Sequence, residues 1–464
     1  MLDNFRRTVA TWLLGRSYVA AAGGRRGSSI QSMMSPISAA HASRATIAAR
    51  ARYAVSNNPL AAAALMAATT QTIGTGIKAQ SNHADESIRK TIDGLFSAWV
   101  DAADDEGRTD WFGIQAALYR SFFVNGEGLA VMLNGEDGLK IRVIDAEQLD
   151  ASYTTPLSDG ARVIQGVEFD QAGRRTAYHI FDNPPGLDLM GQRTRRRVPS
   201  EDVVHLFEAT SPGQVRGVSR FAPVMIRLAD LDGWHDGQAM RQRVSSLTVG
   251  FITSPDGTAS PFEGEQTGST VMGDMSPGAI RVLDPGQDFK QSAPAQIGMD
   301  VVDFGVTLER SICAGLGLPA HVFGDVTRAN YSSLKSATTA WKSRTEAVQW
   351  HTFIPQVCMP VWRRFIATVV LSGKISTTID AALPVKHTCP SWPSLEPLKE
   401  SSAAAMDLAS GVTSRRALIA ARGEDYEQVM REIAADKAFE ESLGLTFGTQ
   451  PVADNDNTPA ADAA

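Results

Sequence analysis

The chain has 464 residues, of which 43% are hydrophobic and 20% charged, a composition of folded globular material that excludes a fibrous or wholly disordered protein. Its three scattered cysteines (Cys313, Cys358, Cys389) are too few for a disulfide framework and imply reduced thiols. The net charge of −7 sits at one end: from Glu424 onward ten acids oppose only Arg431 and Lys437, and the rest is close to neutral.

Residues 1–42 begin with Arg6 and Arg7 ahead of Val9, Trp12, Leu13 and Leu14, but Arg16 breaks the apolar run. They read as an amphipathic arm rather than a secretory signal. No apolar run in the chain reaches the ~18–20 residues of a membrane span. A helix is predicted over 43–55. A second starts at Pro59 with Asn58 as its cap and runs through the alanine-rich LAAAALMAATTQTI to Gly74. Ile88, Ile92, Leu95, Phe96 and Trp99 share one face of a third helix, and Asp110 caps a fourth that buries Trp111, Ile114 and Leu118. From Gly126 to Ile144 the pattern changes to LAVML and LKIRVI around the turn-rich NGEDG, a β-hairpin, and RVIQGVEFD and RTAYHIF repeat that design. This block is therefore α+β. Arg193, Arg195, Arg196 and Arg197 are expected in a solvated loop before VPSEDVVHLF.

Residues 223–249 form a long, unusually polar helix with two short stripes, Val224–Leu228–Leu231 and Met240–Val244–Leu247. One copy buries little with such a helix, and a ring of copies packed side by side would use it better. Residues 251–296, rich in Gly, Pro, Ser and Thr, read as a compact β-module or projection. Val301, Phe304, Leu308 and Ile312 mark another helix, stopped by Gly315, Gly317 and Pro319. LPAHVFGDVTRANYSSLKS, Leu318 to Ser336, then joins two helical segments without hydrophobic periodicity of its own. Beyond it, Leu334, Ala337, Trp341 and Val348 begin a long helix that Pro355 and Pro360 are expected to kink before Val361, Phe365 and Val369. Between Val326 and Lys374 seven bases face only Glu346, a local excess that suits nucleic acid or a solvated helix face. Three C-terminal helices follow, over 400–410 closed by Gly411, from Thr413-Ser414 to Gly423, and from Glu424 or Asp425 onward. The last residues have too little apolar content to fold.

Catalytic signatures are missing. IGTGIK at Ile73–Lys78 lacks the spacing of a phosphate loop, and GVSRF at Gly217–Phe221 lacks the second glycine of a nucleophile elbow. The histidines and cysteines show no metal-ligand spacing. Asp145 with Glu147, and Asp101 with Asp104-Asp105-Glu106, read as strand ends or polar loops rather than acid/base pairs. No catalytic residue, metal or cofactor is expected, and the chain is read as a non-enzyme. Ser410-Gly-Val-Thr-Ser-Arg-Arg imitates the turn of a helix-turn-helix, but the acids that follow would repel DNA phosphates.

Several segments, in order, resemble the lambda family of bacteriophage portal proteins: ARARYAVSNNPLAAAAL to IGTGI, VNGEGLAVML, IRVIDAEQLD, VPSEDVVHLF, QVRGVSRFAPVMIRLADLDGWHDGQ, MSPGAIRVLDPGQDF, GLGLPAHVFGDVTRANYSSLKSA, and WPSLEPLKE with SGVTSRRALIAARGEDYEQV. Leu318-Pro-Ala-His-Val-Phe departs from the Pro-Tyr-Glu-like sequence expected there, and Ser394-Leu-Glu-Pro replaces an aspartate-proline. The resemblance implies an α+β, elongated portal-type subunit with an α+β wing, a helical stem, a small β-rich clip and a helical C-terminal crown, assembled as a dodecameric ring. It places an N-terminal arm at 1–42, the wing at 43–222, the stem at 223–317 around a clip at about 251–296, and a tunnel loop at 318–333. A long kinked helix and return to the wing (334–394), the crown (395–448) and a disordered tail (449–464) follow. It implies a channel for packaging and ejecting DNA at one capsid vertex. The partners it implies are other copies of the chain, double-stranded DNA without sequence preference, the terminase large subunit, the major capsid or scaffold protein, and head-completion or tail adaptors, with no membrane. The location is the virion, reached through assembly in the host cytoplasm. Arg328, Asn330, Tyr331 and Lys335 become the DNA-facing set, with Lys342 and Arg344 as channel or intersubunit residues. The alternatives are another capsid or head–tail adaptor and, further off, a helix-turn-helix DNA-binding protein.

Overall fold

The computed structural model describes residues 35–135, 138–186, 193–246, 250–253, 265–267, 270–272, 288–291, 299–323, 330–394 and 396–445. In chain order the elements are α1 (Pro36–Asn57), α2 (Pro59–Thr72), β1 (Lys78–Ser81), α3 (Glu86–Ala102), α4 (Trp111–Asn125), β2 (Glu127–Gly135) and β3 (Gly138–Ile144). Next come β4 (Thr155–Pro156), β5 (Arg162–Ile164), β6 (Val167–Phe169), β7 (Arg175–Phe181), β8 (Arg195–Pro199) and β9 (Val203–Phe207). Then follow α5 (Met225–Ser246), β10 (Gly250–Thr253), β11 (Glu265–Thr267), β12 (Thr270–Met272), β13 (Asp288–Gln291) and α6 (Met299–Leu316). The chain continues with α7 (Tyr331–Val348), a π-helix (Gln349–Cys358), α8 (Met359–Leu371), α9 (Ile379–Ala382) and β14 (Val385–Thr388). It closes with α10 (Pro397–Ala409), α11 (Arg415–Ala421) and α12 (Tyr426–Leu443). The mixed α+β expectation is met. The chain divides into a larger unit, Met1–Arg52, Leu65–Arg220 and Lys335–Ala464, and a smaller one, Tyr53–Ala64 and Phe221–Leu334.

In the larger unit, Asp110 caps α4 by accepting from Gly113 N at 2.7 Å, and Gly126 ends it in the left-handed region (φ 88°). The chain passes straight into β2, which pairs with β3 on one side and β9 on the other. The expected hairpin joins β2 to β3 with Gly135 opposite Gly138. A second sheet runs β4-β5-β6-β7-β8, antiparallel throughout, and the β5–β6 turn is made by Gln165 (φ 49°) and Gly166 (φ 82°). Both turn residues have positive φ, as a two-residue hairpin turn of this twist requires. Leu129, Val131, Ile144, Leu149, Val167, Phe169, Tyr178, Ile180, Val198 and Val203 make one continuous buried core across the two sheets. The helical side is built on aromatics: Phe96 of α3 meets Trp362 and Phe365 of α8 with ring centroids 5.2 and 5.1 Å apart.

Three expectations need correcting. The first helix begins at Pro36, not at 43. Arg195, Arg196 and Arg197 lie on β8, the edge strand of the five-stranded sheet, and not in a loop. The kink expected at Pro355 is instead a stretch of π-helix over Gln349–Cys358. Proline has no N–H for the carbonyl four residues back, and wider turns absorb the missing bond. Within this stretch Gln356 offers its side-chain oxygen to Phe207 N at 2.9 Å, closing a hydrogen bond on the outer edge of β9.

In the smaller unit, α5 and α6 pack closely because glycines make room. A Cβ on Gly305 would lie 2.7 Å from the Trp234 indole, and one on Gly315 would strike Val224. Asn58 caps α2 as expected, its Oδ1 accepting from Leu60 N and Ala61 N at 2.9 and 3.0 Å, and its Nδ2 donates to Asp232 Oδ1 of α5 at 2.8 Å. The stripe Val224–Leu228–Leu231 is buried, whereas Ile226 and Met240 of α5 and Phe304 of α6 lie exposed. Of the second stripe, the Val244 side chain and Leu247 lie outside the described residues. Between these helices β10 pairs with β13 and β11 with β12.

Candidate functional site

Arg328 lies outside the described residues. Asn330 precedes α7 and caps it, its Oδ1 accepting from Ser333 N at 2.8 Å while its own N–H donates to Ser333 Oγ at 3.2 Å. Its side-chain oxygen is thus engaged in starting the helix. Tyr331 is half-exposed at 49%. At 3.6 residues per turn Tyr331, Lys335 and Lys342 fall on one stripe of α7, while Arg344 falls on the opposite side. The helix brings those three together and leaves Arg344 apart. Lys335 Nζ meets Glu396 Oε2 at 2.9 Å, and Lys342 lies 3.9 Å from Glu346 one turn on. Trp341 and Thr345 form the buried side of α7, with Trp341 edge-to-face on Trp392 at 5.4 Å.

The arginines of β8 are paired with carboxylates. Arg195 donates to Asp150 Oδ2 at 2.9 Å and lies 3.6 Å over the Tyr153 ring; Arg196 faces Asp182, and Arg197 grips both oxygens of Glu168 at 2.8 and 2.9 Å. Arg193 lies over the Phe181 ring. Hydrogen bonds from Arg197 lead the effects that hold the Glu168 carboxyl down at about 2. Asp145 is a cap: it accepts from Glu147 N and forms a reciprocal capping box with Gln148, while Glu147 pairs with Arg52. Asp104 accepts from Glu106 N, Arg108 N and Thr109 N and so shapes its own loop. Among the described residues no group of three or more His, Cys, Asp or Glu is arranged to hold a metal ion.

One buried charge cluster is not legible in the sequence. Glu127, at the start of β2 and fully buried, accepts from Arg216, from Arg44 of α1 and from His205 of β9. Arg216, also fully buried, further donates to the carbonyls of Gln165 (2.9 Å) and Ala146 (3.1 Å). Burial pushes the Glu127 carboxyl up, but the Arg216 and Arg44 guanidiniums and the hydrogen bonds from Arg216 and His205 outweigh it and hold it well below the usual range. Burial drives His205 down to about 4 against the pull of Glu127, so the ring is neutral near pH 7 and its Nε2–H donates to the carboxylate at 3.2 Å. Glycines allow the approach: a Cβ on Gly217 would collide with the Gly126 carbonyl. The dipeptides Gly126-Glu127 and Arg216-Gly217 thus meet small against small and charge against charge.

The helix-turn-helix imitation is likewise accounted for. Ser414 caps α11 and Asp425 caps α12. Arg416 lies 4.9 Å over the Tyr426 ring and faces Glu427, which also receives Arg89 of α3 and Arg431. An arginine engaged with the acidic helix that follows its own is poorly placed to read bases.

A model of the family described as "Phage portal protein, lambda family" matches residues 23–349. The chain belongs to this family. The probable portal protein of Halomonas phage phiHAP-1 is 21% identical over 381 residues, covering 78% of this chain and 73% of its own length. The portal protein of Escherichia phage N15 is 22% identical over 424 residues, covering 78% and 76%. Among solved structures, a chain from the neck of an empty GTA (gene transfer agent) particle, computed with C6 symmetry, superposes with a TM-score of 0.50 at 14% identity, covering 88% of this chain and 94% of that one. At that identity the likeness concerns the fold. For a portal protein the residues of interest are those that meet DNA or another copy, and among the described residues the stripe of Tyr331, Lys335 and Lys342 on α7 is an exposed feature carrying two lysines.

Proposed function

We infer that copies of this portal protein close into a ring, with twelve expected, around a channel through which duplex DNA enters and leaves a capsid at one vertex. The family match over residues 23–349 carries this reading. The α5–α6 pair supports it, because Ile226, Met240 and Phe304 are 77%, 58% and 54% exposed in a single copy, apolar area that a neighbour would cover. The wing corresponds to 43–222, the stem to 223–317 with the clip at about 251–296, the tunnel loop to 318–333, the long helix and return to the wing to 334–394, and the crown to 395–448. The terminase large subunit would dock on the clip and supply ATP hydrolysis. The capsid or scaffold protein and the head-completion or tail adaptors would meet other outer faces, during assembly in the host cytoplasm and then in the virion. The chain's own role is mechanical and electrostatic rather than catalytic.

Arg328, Asn330, Tyr331 and Lys335 would face the lumen, Asn330 also setting the start of α7, with Lys342 and Arg344 farther along that helix as channel or intersubunit residues. Such contacts go to phosphates, carry no sequence information and weaken with salt. A few cations repeated by symmetry guide DNA, whereas many would brake it. Electron micrographs of the purified full chain should show closed rings with an axial hole; compact monomers under all conditions would overturn the reading. Rings of Arg328→Ala with Lys335→Ala should still form but retain DNA less well in a packaging assay. Loss of ring formation would make those side chains structural.

A further inference from the structure

Lys335 does not meet solvent alone. One oxygen of Glu396 receives Lys335 Nζ at 2.9 Å, and the other receives Lys399 Nζ at 2.6 Å. Two features fix that carboxylate. Glu396 directly precedes Pro397, the first residue of α10, and a residue before proline is kept out of the helical region; its φ and ψ are −137° and 72°. Trp392, four residues earlier, packs on Trp341 of α7, so the approach to α10 is docked on the helix that carries Lys335. Side-chain exposure ranks the three, at 20% for Glu396, 50% for Lys335 and 79% for Lys399.

We propose that Glu396 is a positioning residue for DNA contact, holding Lys335 in a pair that a passing phosphate must displace. The proposal rests on the reading of α7 as DNA-facing. The three groups together carry one net positive charge instead of two. An ammonium already neutralised by a carboxylate displaces fewer of the counterions condensed on the DNA when it meets a phosphate, so the contact forms weakly and breaks easily. An exposed pair of this kind is itself weak, and the exchange requires no movement of either helix. The crown's first helix thereby sets how firmly α7 can hold DNA, which no residue within the tunnel loop could reveal.

The test uses assembled rings of the full chain, titrated with a short duplex of random sequence over a range of salt concentrations, for wild type, Glu396→Gln, Lys335→Gln and the double variant. Glu396→Gln should bind about three- to ten-fold more tightly at low salt, with a log–log salt slope steeper by up to ~0.9 for each additional phosphate neutralised. Lys335→Gln should cancel that tightening, so that the double variant matches Lys335→Gln alone. Unchanged affinity and slope in Glu396→Gln, with Lys335→Gln still weakening binding, would overturn the role of Glu396 and leave the DNA-facing reading intact. A double variant that binds more tightly than Lys335→Gln would also overturn it, because the effect would then not pass through Lys335. Binding indifferent to Lys335→Gln in either background would sink the underlying reading. If Glu396→Gln rings do not form, Glu396→Asp keeps the charge while drawing it back by one methylene: tighter binding with a steeper slope supports the proposal, and no change overturns it.

Discussion

Glu127 and Glu427 are built alike and placed differently. Each gathers three basic side chains from separate elements: Arg44, Arg216 and His205 around the first, Arg89, Arg416 and Arg431 around the second. Glu127 is fully buried, while the Glu427 side chain keeps 32% of its surface in water. Burial decides what each cluster does. In the buried site a lost partner leaves an uncompensated charge, so the cluster joins α1, β2 and β9 as one piece. At the wet site water and salt compete with every contact, so α12 is held to α3 by a grip that solution conditions can loosen.

That contrast can be broken by mutation. Glu127→Gln leaves two buried guanidiniums without a counter-charge and should destabilise the larger unit by about 3–5 kcal/mol, seen as a large drop in its thermal unfolding transition. A loss below about 1 kcal/mol would mean that water reaches the cluster.

Acid offers a second route, read in the pH dependence of denaturant unfolding. The folded chain holds His205 and His387 at about 4, below the ordinary 6.5, so the unfolded chain takes up protons first as pH falls. Their contribution is complete above about pH 6.5 and is lost as pH falls toward 4, by roughly 3 kcal/mol for each. His205→Asn, whose amide can still donate to Glu127, should flatten part of that decline. An equal decline in the variant would assign it to other groups.

The smallest effect belongs to Glu427→Gln, which should cost about 0–1 kcal/mol at low salt and nothing measurable at high salt. A loss that persists in high salt would make the clasp a structural cluster like that of Glu127.

The two clusters also mark how far the sequence could be read. Local devices were plain: Asn58, Asp110, Ser414 and Asp425 each cap the helix they precede, and Gly411 and Gly423 end segments with positive φ. Each needs only neighbours within a few residues. Arg216 and Glu127 stand 89 positions apart, and Lys335 and Glu396 stand 61 apart. No periodicity encodes such pairs, so neither partnership can be read from the sequence. The arginines at 195–197 were misplaced for a related reason. Three consecutive cations have the composition of a loop, and only Asp150, Asp182 and Glu168 on neighbouring strands and turns make a strand of them tolerable. Pro355 was rightly seen as a disturbance, but whether a helix bends or widens depends on its tertiary packing, and Phe353, Ile354 and Val357 are buried on that stretch.

No residue of α10, α11 or α12 is buried, and Leu398, Met406, Val412 and Phe439 stand 85%, 68%, 77% and 66% exposed. Helices that fully bury no side chain recover little of the entropy lost in ordering themselves. If a neighbouring copy covers those apolar side chains in the assembled ring, the order of these helices rises with protein concentration and their melting temperature moves with it.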